Sequence, residues 1–189
     1  FLKEKQQPYI RLNMDANESG VKGTNLTGFR YVHFATHGIL GNEIPYIQEP
    51  ALVLNLVNNT DEDGYLTMSE VMGLNMAADM VTLSACNTGL GEDVGGEGVV
   101  GLTRAFMYAG SPSVLVSLWS VASESTTDFM VSVYRYLKEG RDKAEAVRLA
   151  KMDLRKRKYE VHIGRGMEVI EKGVAKAEKT VVAFPLKIH

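Results

Sequence analysis

Short runs of β-type apolar residues recur along this chain, each separated from the next by a helix-like or turn-rich segment. That alternation restricts the possible folds more than any other feature. Residues 30–36, Arg-Tyr-Val-His-Phe-Ala-Thr, are rich in aromatic and β-branched side chains and stop at Thr36-His37-Gly38. Similar runs occupy residues 51–57, 80–85 and 113–119, the last reading Ser-Val-Leu-Val-Ser-Leu-Trp. Thr67-Met-Ser-Glu70 has the capping-box pattern and predicts a short helix to about Leu74. Residues 97–109 place Val99, Val100, Leu102, Thr103, Phe106 and Met107 at helical spacing, and Gly110 with Pro112 ends that helix. Ser123 or Ser125 caps the next, with Phe129, Met130, Val133 and Leu137 on one face and Gly140 as its stop. Asp142-Lys-Ala-Glu145 opens a further helix to about Lys158. Strands alternating with helices predict an α/β fold, a mostly parallel sheet with helices on both faces.

The chain has 189 residues, enough for one domain with a full core. Residues 1–29 read as a partial N-terminal element plus a loop, 30–158 as the core, and 159–189 as a C-terminal tail whose Thr180-Val-Val-Ala-Phe184 suits a closing strand. The chain opens at Phe1 on a charged fragment, as a piece of a longer protein would. A formal net charge of −2 leaves no basic footprint for nucleic acid or an anionic membrane. No apolar stretch approaches the roughly 20 residues of a membrane span. With one cysteine there is no internal disulfide, so a cytoplasmic location is expected.

That one cysteine, Cys86, comes just after the third β-type run, and His37 just after the first, 49 residues earlier. In an open parallel sheet, functional residues gather at the carboxyl ends of the strands, so both are expected on one rim. A thiol nucleophile with an imidazole base is the minimum equipment for covalent hydrolysis of an amide. Gly38, with no side chain, lets its N–H approach a substrate closely, and with the N–H of Cys86 it would form an oxyanion hole. Caspases have a comparable arrangement, with histidine about 50 residues before an Ala-Cys segment. His33 sits mid-strand and is expected to pack. A zinc site of His33, His37 and Cys86 lacks a fourth ligand at recognisable spacing, so no metal or cofactor is expected.

The glycine-rich stretch 89–98 holds Glu92, Asp93 and Glu97, which suit either a pocket for a basic residue before the cut or a solvated loop. Gly96-Glu-Gly98-Val-Val-Gly101 matches a dinucleotide fingerprint as a string. It begins ten residues past Cys86 and lacks the later acid, so substrate-loop flexibility and close helix packing are the better reading. Arg155-Lys-Arg-Lys158 reads as a solvated helix end complementing the helix dipole.

Taken together, His-Phe-Ala-Thr-His37-Gly38, Asp63-Gly-Tyr-Leu-Thr67, Leu83-Ser-Ala-Cys86-Asn-Thr-Gly89, the run Gly96 to Phe106, Ala109-Gly110 and Ser117-Leu-Trp119 resemble a CHAT domain. These are caspase-like domains, similar also to separase, that usually follow tetratricopeptide repeats. The resemblance covers residues 30–157. It implies a caspase–hemoglobinase fold, a cysteine endopeptidase with His37 as base and Cys86 as nucleophile, and a protein or peptide substrate. The substrate cleft would be bordered by Ser117, Trp119 and Ser123. Members of the family include self-contained peptidases, activators of bacterial gasdermins, the protease arm of an RNA-guided effector, and domains that only transmit signals. The resemblance therefore also allows a catalytically inactive interaction domain. A tetratricopeptide-type repeat region or regulatory partner is the implied companion. Where the family commonly carries an acidic residue after the Trp119 motif, this chain has Ala122-Ser123, so substrate preference does not carry over.

Overall fold

The computed structural model describes residues 9–57, 62–84, 97–117, 123–156 and 180–185. Residues 9–117 together with 180–185 form one compact unit, and residues 123–156 form another.

The first unit contains β1 (Tyr9–Leu12), β2 (Phe29–Ala35), β3 (His37–Ile39), β4 (Ala51–Val53), β5 (Tyr65–Thr67), β6 (Met80–Leu83), β7 (Val114–Val116) and β8 (Thr180–Pro185). The larger sheet has the order β1-β8-β2-β6-β7, and the smaller has β3-β4-β5. The segment β2-β6-β7 is parallel, whereas β8 runs antiparallel between β1 and β2. Helices α1 (Glu18–Lys22), α2 (Met68–Met72) and α3 (Glu97–Tyr108) belong to the same unit.

The four side chains of β6 are all buried, as in a central parallel strand covered on both faces. Val32 and Phe34 of β2, Val81 and Leu83 of β6, Val71 of α2, and Leu102, Ala105, Phe106 and Ala109 share one apolar core. The Phe34 and Phe106 rings meet at 5.4 Å between centroids. Among the described side chains the buried stripe of α3 is Leu102, Ala105 and Phe106, continued by Ala109 just past its end, and the expected Val100 and Met107 are exposed. The true stripe uses alanines, which hydrophobic periodicity weights lightly. After α3, Gly110 has φ +115°, and a Cβ there would lie 2.0 Å from the Met76 carbonyl oxygen, so only glycine fits this close crossing.

The strands depart from expectation in several places. The run 51–57 is a strand only over Ala51–Val53, and it pairs antiparallel in the small sheet rather than joining the parallel one. Tyr65–Thr67, too short and too close to a turn to stand out as a strand, is its partner β5. Of the described part of the run 113–119, residues 113–117, Val114–Val116 form the strand, half-buried because β7 ends the strand order among the described residues.

The second unit is a helical hairpin of α4 (Ser123–Lys138) and α5 (Lys143–Lys156). Met130, Val133 and Leu137 of α4 and Ala146 and Ala150 of α5 are buried. Gly140, at φ +86°, lies just past α4. The Arg141 N–H bonds the Tyr136 carbonyl and the Gly140 N–H bonds that of Leu137, a Schellman ending. The Asp142 carboxylate accepts the Glu145 N–H at 2.9 Å and so caps α5. Arg135 and Tyr136 both reach Asp153 Oδ2 at 2.7 Å, tying the two helices together. Arg155 and Lys156 are exposed in the last turn, as expected of a solvated helix end.

Candidate active site

Strand β2 carries the chain past His33 toward the end of the sheet, but extended structure does not stop there. The chain bends at Thr36 and continues as β3, so His37 is the first residue of a strand in the small sheet rather than a loop residue. The bend is held by the Thr36 hydroxyl, which donates to the Val53 carbonyl. His37 then lies opposite Val53, and buried Gly38 lies opposite Leu52. Among the described residues β3 is an outer strand of that sheet, so alternate N–H groups along it point away from β4. His37 itself is partly buried.

Strands β2 and β6 are fastened to each other at both ends. At their start, Arg30 pairs with Asp79 at 2.5 Å, and the Asp79 N–H bonds the Arg30 carbonyl. At their finish, the Ser84 N–H donates to the Phe34 carbonyl at 3.0 Å, and the Ser84 hydroxyl shares a hydrogen bond with His33 Nε2. Burial pushes the His33 imidazole down to about 4, so the ring is neutral at physiological pH. The expectation that His33 packs mid-strand thus understates it, since the ring also ties the two strands.

Of the remaining residues singled out from sequence, Cys86, Glu92, Asp93 and Trp119 lie outside the described residues. Glu97 and Ser123 are the first residues of α3 and α4. Ser117 comes directly after β7, and its buried hydroxyl has no hydrogen-bond partner among the described residues. Gly101 sits in α3 where an added Cβ would approach Met68 Sδ to 3.0 Å. That agrees with close helix packing, rather than phosphate binding, as the reason for this glycine.

One cluster escaped the sequence reading. Lys22 Nζ lies 2.7 Å from Glu18, 2.8 Å from Glu62 and 2.7 Å from Glu70. Glu18 is fully buried, and its second oxygen accepts the Gly64 N–H. Gly64, at φ +82°, presents that N–H from a turn where a Cβ would strike Leu56. Burial raises the Glu18 carboxyl despite the hydrogen bond from Lys22. For Lys22, burial alone would lower the ammonium, but the three carboxylates outweigh it and raise it. The carboxylates lie within 4.8 Å of one another, a spacing a metal ion would accept, but the ammonium already occupies their centre. Only the Glu18–Lys22 spacing of four residues hinted at this hub; Glu62 and Glu70 arrive through tertiary folding.

The family model for the CHAT domain matches residues 2–171. The chain belongs to the CHAT domain family. Curated relatives include Tetratricopeptide repeat protein 28 of Mus musculus and that of Homo sapiens, each 36% identical over 75 residues. That match covers 40% of this chain but only 3% of each relative, so the chain spans a small fraction of their length. Membership agrees with the mixed α/β architecture, in which a parallel three-strand segment is flanked by helices, and places the domain among caspase-like proteins. No helix among the described residues is long and apolar enough to cross a membrane.

Proposed function

We propose that this CHAT domain is a cysteine endopeptidase in which His37 is the general base and Cys86 the nucleophile. The observation that carries this reading is the register of the parallel pair. Tyr31 lies beside Met80 and Phe34 beside Leu83, so β2 and β6 match residues 49 apart. His37 and Cys86 are separated by the same 49 positions and come just after the finishing ends of these two strands. The register thus favours delivery of both groups to one rim, where an imidazole can take a proton from a thiol.

In this mechanism His37 accepts the Cys86 proton and the sulfur attacks the scissile carbonyl. The N–H groups of Gly38 and Cys86 hold the oxyanion; the imidazolium protonates the leaving amine, and water releases the acyl-enzyme. An extended substrate would pair beside β7, with Ser117, Trp119 and Ser123 bordering it and Glu92, Asp93 and Glu97 favouring a basic residue before the cut. The likeness to tetratricopeptide repeat protein 28 supports gating by an adjoining repeat region or partner, and a chain with a single cysteine suits a cytoplasmic setting. A gasdermin substrate or an RNA-guided effector as the controlling partner would suit such gating.

A peptide library varied at the residue before the cut tests the reading. Cleavage is expected, strongest after Lys or Arg, and His37→Ala or Cys86→Ala should each reduce it by at least about a thousandfold. If the chain cleaves nothing, alone or joined to a repeat region, while Cys86→Ala retains all partner binding, the domain is an interaction platform instead.

A further inference from the structure

His33 takes no part in the chemistry above, yet it is a partly buried imidazole on one of the two strands that lead toward the proposed dyad. It is four residues before His37 on β2, and its ring is bonded to Ser84, two residues before Cys86. Two residues of chain reach at most about 7 Å, so the place of Ser84 limits where the Cys86 thiol can lie. The backbone bond from Ser84 to Phe34 and the side-chain bond to His33 together hold Ser84 against β2.

We propose that His33 is a positioning residue for the nucleophile, holding Ser84, the point just past β6 from which the chain runs on to Cys86. This rests on the dyad reading. Neutral imidazole suits the task because either ring tautomer can share a hydrogen bond with a hydroxyl, whereas burial between the strands disfavours a charged ring. Thr82, opposite His33 in register, belongs to the fully buried strand and lines the same strand pair.

Because Cys86 is the only cysteine, iodoacetamide alkylation of the whole chain reports on that thiol alone and requires no known substrate. The rate is measured against pH for the unchanged chain and for His37→Ala, Ser84→Ala, His33→Leu and His33→Gln, with near-ultraviolet circular dichroism as the folding control. In the unchanged chain the profile should rise well below the ordinary thiol value of about 8.5. His37→Ala should move it up to that value. Ser84→Ala and His33→Leu should each slow alkylation near neutral pH by about tenfold or more and shift the profile the same way. His33→Gln, which can still reach the Ser84 hydroxyl, should restore most of the rate. If His33→Leu fails to fold, Ser84→Ala removes the same bond with a smaller change and decides the matter. A profile that moves for His37→Ala but not for a folded Ser84→Ala overturns the positioning role and leaves the dyad standing. A profile unmoved by His37→Ala overturns the dyad, and the positioning role with it.

Discussion

His33 illustrates how one side chain links burial to acid sensitivity. Its imidazole is held down to about 4 by burial, while in the unfolded chain it titrates near 6.5. Between those values the unfolded state binds a proton that the folded state refuses. Stability is therefore unaffected by this group above about pH 6.5, and falls by about 1.4 kcal/mol per pH unit from there toward pH 4. Urea midpoints at pH 7, 5.5 and 4 should fall more steeply for the unchanged chain than for His33→Gln; parallel slopes would refute the assignment. At Gly110 the restriction is steric. Gly110→Ala combines a positive φ with a Cβ 2.0 Å from the Met76 carbonyl, so a loss of about 2 kcal/mol or more is expected in chemical denaturation.

Among the elements, α2 depends on the residue that caps it. The Thr67 side chain accepts the Glu70 N–H while Glu70 accepts the Thr67 N–H, the full reciprocal capping box. Thr67→Ala should cost about 1 kcal/mol and speed exchange of the Glu70 amide with solvent. Glu70 also reaches Lys22, so the cap is joined to α1. Lys22→Met would leave buried Glu18 facing Glu62 and Glu70 without a cation. A loss of about 3 kcal/mol or more is expected at pH 7. Because the orphaned carboxylates prefer protons, that deficit should shrink as pH falls toward 5, and Glu18→Gln in the same chain should recover part of it. A deficit independent of pH would show that lost packing of the lysine stem, rather than charge, dominates.

On the scale of the whole molecule, residues far apart in the chain complete one sheet. β8 pairs with both β1 and β2, so ending the chain at residue 179 would expose the β2 edge and detach β1. Such a truncation is expected to unfold with lower cooperativity and to self-associate through that edge, visible by size-exclusion chromatography with circular dichroism. A truncated chain that stays monomeric and unfolds at the same midpoint would mean β8 contributes little. The alternation of β-type runs with helical segments, the capping patterns and the glycines were enough to read the α/β class, the capping box at Thr67, the cap at Asp142 (where Glu145 turns to Arg148 instead of completing a box), and the stops after α3 and α4, because each is a property of neighbouring residues. The candidate site was legible only as residue types at strand ends. The bend at Thr36 that makes His37 the start of a new strand depends on a carbonyl 17 residues away, and the pairing of His33 with Ser84 spans 51 positions. The antiparallel placing of Ala51–Val53, the alanine-lined stripe of α3 and the Lys22 hub arise in the same way. Local sequence determines which segments can be helix or strand, since propensity, periodicity and capping act within a few residues. Which strands become neighbours, and so which side chains meet, was decided by burial and hydrogen bonding across the whole chain, where the energy belongs to contacts that no short stretch contains.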